Sequence, residues 1–190
     1  MGRELIVAQG AFLAAGPDLV DPNFLHTVVL MCSHTDDGAY GLVLNRPSEF
    51  RAREVLGSHP VLGASELRIY LGGPVSFDTL QILHRAPDVI TGGMQLAEDL
   101  WVGGELDEVG ALLELDPERA QRDVKLLLGY AGWGPGQLEG ELEEGAWLPA
   151  PGSAARAFQA DAQRLWRDVV LDLGPQFRSL AFEPPDPDWN

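Results

Sequence analysis

His26, His34, His59 and His84 are the side chains best able to ligate a metal or move a proton near neutral pH. They show no short metal-ligand spacing, and no Cys/His cluster forms around Cys32, the one cysteine of the chain. His34 ends an apolar run beside Asp36 and Asp37, a setting that predicts a loop imidazole hydrogen-bonded to a nearby carboxylate. Cys32 lies inside the most apolar run with no adjacent cation to lower its pKa, so it reads as inert core packing rather than a nucleophile. Ser33 and the other serines lack a nucleophile-elbow pattern. Asp36/Asp37 and Glu139/Glu141/Glu143 have the composition for acid–base work. In a chain of 29 acidic and 13 basic residues, however, such groups read first as solvated surface charge. No metal and no cofactor is expected.

Two glycine clusters carry the remaining signal. Gly72-Gly73-Pro74 follows an apolar run directly, and its paired glycines allow close approach by a ligand or by another backbone. It reads either as a pocket rim or as a chain reversal at a sheet edge. The second cluster, Gly129 to Gly136, is expected to follow a strand and open a helix. Gly134, Gly136 and Gly140 approximate a dinucleotide fingerprint. A pyrophosphate there would face Glu139, Glu141, Glu143 and Glu144 with no Lys or Arg nearby, against which a helix N-terminus offers only about 1–2 kcal/mol. A nucleotide site is therefore rejected. Trp133, expected on a glycine-rich turn, is either a lid over the core or a contact for a partner.

The elements that must position these residues follow from hydropathy. The chain has 190 residues, 45% hydrophobic and 22% charged, an ordinary globular composition. Strands are predicted at Leu5–Ala8, Ala11–Ala14, Thr27–Cys32, Ala39–Leu44, Leu67–Leu71, Leu80–Leu83, Leu100–Val102 and Val124–Leu128, with Asp37-Gly38 turning a hairpin between the third and fourth. Val109, Leu112 and Leu113 form one stripe of a helix that Asp116-Pro117 ends. A helix over Gly134–Gly145 buries Leu138 and Leu142, with Pro135 in its first turn. A last helix buries Leu165, Val169 and Leu173, is capped by Gly174, and starts at either Ser153 or Asp161. Pro149-Ala150-Pro151-Gly152 reads as a linker before that helix. The fold class is α+β: a mixed β-sheet with short peripheral helices. One domain spans 1–182, with a C-terminal helical appendage over about 153–182 and a disordered tail at 183–190.

Charge narrows the partners. The net charge is -16, and the asymmetry is steep: residues 1–95 carry 6 basic and 10 acidic groups, residues 96–190 carry 7 and 19. Such a chain repels nucleic acid at long range, and only Arg46, Arg51 and Arg53 suggest a local basic patch. No apolar run approaches the roughly 18 residues of a membrane span. A cytoplasmic protein with no membrane partner is expected.

Four ordered blocks resemble a known family. They are Asp21-Pro22-Asn23-Phe24 with Thr27–Leu30, Gly38 to Pro47, Gly72-Gly73-Pro74-Val75 with Leu83-His84, and Gly129 to Glu141 with Trp147. Together they are similar to the bacterial YqgE/AlgH family from about Leu5 to Leu148. The resemblance implies a small cytoplasmic α+β protein with a strongly bent, barrel-like sheet, no assigned catalytic residues, and a proposed role in transcriptional regulation. The expected function is accordingly a non-catalytic interaction or regulatory protein, acting indirectly rather than on DNA. Its contact surface would include Gly132, Trp133, Gly134, Gln137 and Glu141, with an unidentified protein partner. The alternative is a small-molecule sensor or an enzyme with a pocket near Asn45, Arg46, Gly72, Gly73, Pro74 and His84.

Overall fold

The apolar run beginning at Val124 does not stop at Leu128 but continues through the glycine cluster to Trp133, as the ten-residue strand β9 (Val124–Trp133) at the centre of the molecule. The computed structural model describes residues 7–182. Before β9 come β1 (Phe12–Ala15), β2 (Val28–Thr35), β3 (Gly38–Val43), β4 (Pro47–Arg51), α1 (Ala52–Val55), β5 (Arg68–Leu71), β6 (Val75–His84), β7 (Met94–Ala97), β8 (Leu100–Val102), α2 (Leu106–Leu115) and α3 (Pro117–Asp123). After it come α4 (Gln137–Glu143), β10 (Trp147–Ala150), α5 (Ala154–Ala157), α6 (Ala162–Asp172) and α7 (Arg178–Ala181). The ten strands form one open sheet in the order β10-β1-β2-β3-β9-β6-β8-β7, with β4 and β5 branching from β9. Among the described residues every ladder is antiparallel except β5 with β9, so the sheet is mixed, as expected, and does not close into a barrel.

The branch dictates a crossing. Residues 126–128 of β9 pair with β5 on one edge and with β6 on the other. The connection Gly72-Gly73-Pro74 must therefore pass over the face of β9, and it does so at Gly129. A Cβ on Gly72, Gly73 or Gly129 would approach the backbone of the opposing segment closer than 3.0 Å. The two glycine clusters thus face each other, and each is small because the other is there.

Side chains of β9 alternate between two cores. Leu127, Ala131 and Trp133 enter the larger one, with β1, β2, α4 and α6; Val124 and Leu126 enter the smaller one, under α2 and α3. The continuous burial of Val28–Cys32 matches the two-sided cover expected of that run. The hairpin is present, its turn tightened to Asp36-Asp37 because Thr35 pairs with Gly38.

Several expectations are corrected. Pro149 and Ala150 lie in β10, paired with β1, so the expected linker is strand in its first half and only Pro151-Gly152 connects to α5; β10 is an edge strand, where proline is tolerated. Pro135 sits ahead of α4, which starts after Gly136 at φ +73°. Ser153 and Asp161 are both N-caps, of α5 and α6. Asp116 ends α2 and also caps α3, accepting from the Arg119 amide at 3.0 Å. Val7 and Ala8 are not strand, while Leu5 and Ile6 and the expected tail at 183–190 lie outside the described residues.

Candidate functional site

Three groups of residues are brought together around the sheet, and only partly those anticipated. The first surrounds Glu141 on α4. Its Oε2 accepts the indole N–H of Trp133 at 2.8 Å and that of Trp147 at 2.9 Å, while Oε1 accepts from Gln137 Nε2 at 3.0 Å. The two indoles meet edge to face at 5.8 Å, and Phe24 meets Trp147 in the same way at 5.5 Å. Trp133 is only 7% exposed. It is the lid, not an exposed contact, because β9 extends to position 133 and aims that side chain into the core. Gly132, Gly134 and Gln137 remain exposed around it.

His34 belongs to the same end of the molecule but not to a loop. It is held within β2, and its partner is the distant Glu139 rather than Asp36 or Asp37. Nδ1 faces the Val7 carbonyl at 2.9 Å and Nε2 faces Glu139 Oε1 at 2.6 Å. Two acceptors require two ring N–H donors, so the imidazolium is the form that satisfies both. Burial opposes that charge, but the Glu139 and Val7 hydrogen bonds and the charges of Glu139 and Asp36 outweigh it and raise the pKa above 6.5. A raised folded-state pKa gives stability fully present below the unfolded value and lost as pH rises through the folded value. Urea midpoints of wild type and His34→Gln should therefore differ more at pH 6 than at pH 8.5. His26 and His84 titrate in the opposite sense, their pKa values lowered first by burial, but they are common to both proteins. An equal difference at both pH values would refute the imidazolium assignment.

The second group is a shallow cavity of about 200 Å³ lined by Pro22, Asn23, Arg46, Gly73, Pro74 and Phe77. Arg46 donates to the Leu25 carbonyl. Beside it β6 leaves the ladder between Val75 and Leu80, with Ser76 at φ +52°, and the bulge exposes Phe77 (57%) and Val75 (38%). Of the anticipated pocket, Arg46, Gly73 and Pro74 meet here. Asn45 does not: it is consumed in holding strands, accepting from the Val28 amide at 2.9 Å and donating to the His26 carbonyl at 2.8 Å. Gly72 serves the crossing. His84 is fully buried at the opposite end of β6, where Nδ1 accepts from the Ala86 amide and the ring stacks on Trp101. The single pocket expected around Asn45, Arg46, Gly72, Gly73, Pro74 and His84 is thus divided among three places.

The third group was missed. Lys125, the only lysine of the chain, is buried in β9 with its Nζ 3.1 Å from the Leu44 carbonyl and 4.6 Å from the centre of the Tyr70 ring. Burial lowers its pKa to about 8. It lines a cavity of about 370 Å³ with Arg51, Arg68 and Arg122. The signal available in the sequence was a lone cation inside the run Val124-Lys125-Leu126-Leu127-Leu128. Cys32, by contrast, behaves as read: burial pushes its thiol up to about 12, where it is no nucleophile. Among the described residues, no three His, Cys, Asp or Glu side chains converge as a metal-ligand set. No helix among them is long and apolar enough to cross a membrane.

Comparison with known proteins gives one consistent answer. The model of a family described as AlgH-like matches residues 12–178. A UPF0301 protein of Chlorobaculum tepidum is 36% identical over 185 residues, covering 97% of both chains. One from Chlamydia trachomatis is 34% identical over 181 residues, covering 94% of this chain and 93% of its own. The solution structure of the AlgH protein from Pseudomonas aeruginosa matches with a TM-score of 0.71 at 30% identity, covering 97% of this chain and 98% of that one. A crystal structure of a Corynebacterium diphtheriae protein shares the fold, with a TM-score of 0.69 at 24% identity over 93% and 92% of the chains.

Proposed function

The chain belongs to the AlgH-like family, and on that premise we propose that it is a non-catalytic interaction protein that regulates through a protein partner in the cytoplasm, not by touching DNA. The observation that carries this reading is the bulge at Val75–Phe77, which holds two large apolar side chains in solvent beside the groove of Arg46, Gly73 and Pro74. An exposed apolar projection next to a rigid concavity is the form of a protein contact. The glycine crossing beneath it fixes the groove wall, so little ordering cost accompanies binding. Net charge of -16 favours a partner with basic groups around an apolar anchor, and it opposes DNA.

Phe77→Asp tests the proposal. Phe77 is exposed, so thermal stability should stay within about 0.5 kcal/mol of wild type. Partner recovery by affinity capture should fall to background. Undiminished capture would move the contact elsewhere. A sequence-dependent shift of DNA at about 100 mM salt would replace the indirect reading with a direct one.

A further inference from the structure

Four of the chain's 13 basic residues surround one cavity in a protein of net charge -16. Arg51, Arg68, Arg122 and Lys125 line it, and Glu66 is the one carboxylate among its lining residues. Glu66 is engaged by Arg53 and lies 3.9 Å from Arg51. Among the described residues no carboxylate lies within 4.0 Å of Arg68 or Lys125. Arg68 donates to the Ser48 carbonyl, and Lys125 to that of Leu44. Arg122 contacts Asp123, but that carboxylate is shared with Arg85 and Arg119. The cavity therefore concentrates cationic charge that the described residues only partly neutralise.

Lys125 sharpens the point. Position 125 lies in a fully buried run of a central strand, where a leucine or methionine would pack without desolvation cost. The ammonium has three donors, and one finds a hydrogen-bond acceptor. Leu67, Val124, Leu126 and Phe158 give the wall an apolar stretch, beside the polar ends of Tyr70, Gln121 and Gln159. A volume of about 370 Å³ falls within the range of small-ligand sites.

We infer that this cavity binds a small organic anion, a carboxylate or a phosphate monoester on an apolar body. Arg68, Arg122 and Lys125 take the anionic end, and Val124, Leu126 and Phe158 take the body. The site shares no lining residue with the groove at Phe77, and the inference stands whether or not that groove docks a partner.

The test uses the single lysine. Labelling with 13C-lysine gives one side-chain resonance from the whole chain, and it reports from inside the cavity. Benzoate and phenyl phosphate serve as carboxylate and phosphate probes, with benzyl alcohol as the uncharged control. A saturable shift at concentrations below about 10 mM is expected for at least one anion and not for the alcohol. The stronger binder identifies the headgroup. The midpoint for Lys125 titration should rise when that anion is saturating, because a bound anion favours the ammonium. Arg68→Gln with Arg122→Gln should weaken binding at least about tenfold. Both side chains reach solvent, so a thermal melt near that of wild type is expected; should the double variant melt early, the two single variants carry the comparison. No saturable shift with either anion, an equal shift with benzyl alcohol, or undiminished binding after loss of the arginines would overturn the inference.

Discussion

Gly73→Ala is expected to abolish the native fold. A Cβ at this position would stand inside the van der Waals envelope of the Tyr130 carbonyl carbon and oxygen and of the Ala131 nitrogen. These are backbone atoms, so no rotamer change relieves the overlap, and φ of +152° adds strain for any L side chain. Either strand could retreat only by breaking a ladder. Displacing Gly72 loses its amide bond to the Leu128 carbonyl and its carbonyl bond to the Val43 amide, both 2.7 Å. Displacing β9 disturbs β3, β5 and β6 together. A cost above about 4–5 kcal/mol is expected, a large part of the 5–15 kcal/mol that holds a domain together. Gly129→Ala at φ +73° strikes the same crossing from the other side. The two substitutions should consequently be far from additive, since the first already opens the contact. Soluble yield and a circular-dichroism melt decide the matter. A Gly73→Ala protein melting within two or three degrees of wild type would show that the crossing relaxes easily and that the glycines are there for something else.

That crossing also marks the limit of what the sequence could disclose. A strand with a strong apolar run, such as Val28–Cys32, is legible because burial on both faces leaves a local composition. β4, β7 and β10 are not. They are four or five residues long, half exposed, and two of them contain proline, so nothing local separates them from loops. β9 was truncated for a different reason. Gly129 and Gly132 read as turn residues, yet Gly129 is required by a segment more than fifty residues away that passes over it. Glycine records the need for close approach but not the identity of what approaches.

The candidate site followed the same rule. Arg46, Gly73 and Pro74 line one groove because they flank neighbouring strands, whereas His84 lies at the far terminus of the strand that begins there. Position 125 has the same strand parity as Leu127, Ala131 and Trp133, so its inward direction is implicit in the alternation of β9. What no pattern could supply is that Arg51, Arg68 and Arg122, from three separate elements, surround it.

Trp133→Ala is expected to destabilise the protein by about 3–5 kcal/mol, the range for removing a large aromatic from a core. For a chain of this length that corresponds to a fall in Tm on the order of 10 °C. The side chain is 7% exposed and packs edge to face on Trp147, so its loss opens a void between β9 and α4 that neighbouring indole and leucine groups cannot fill without leaving their own contacts. Trp133→Phe separates the terms. It keeps most of the packing and deletes the N–H that reaches Glu141, leaving that carboxylate the Trp147 and Gln137 donors. A loss near 1 kcal/mol should follow. Glu141→Leu inverts the experiment, since it strands both indole N–H groups at once and should cost more than Trp133→Phe although it adds apolar surface. The ordering Trp133→Ala, then Glu141→Leu, then Trp133→Phe is specific to a lid pinned by one shared carboxylate. An exposed contact residue would give three small values instead, together with lost partner capture. If Trp133→Ala leaves the melt unchanged while abolishing capture, the docking surface belongs at Trp133 and not at Phe77.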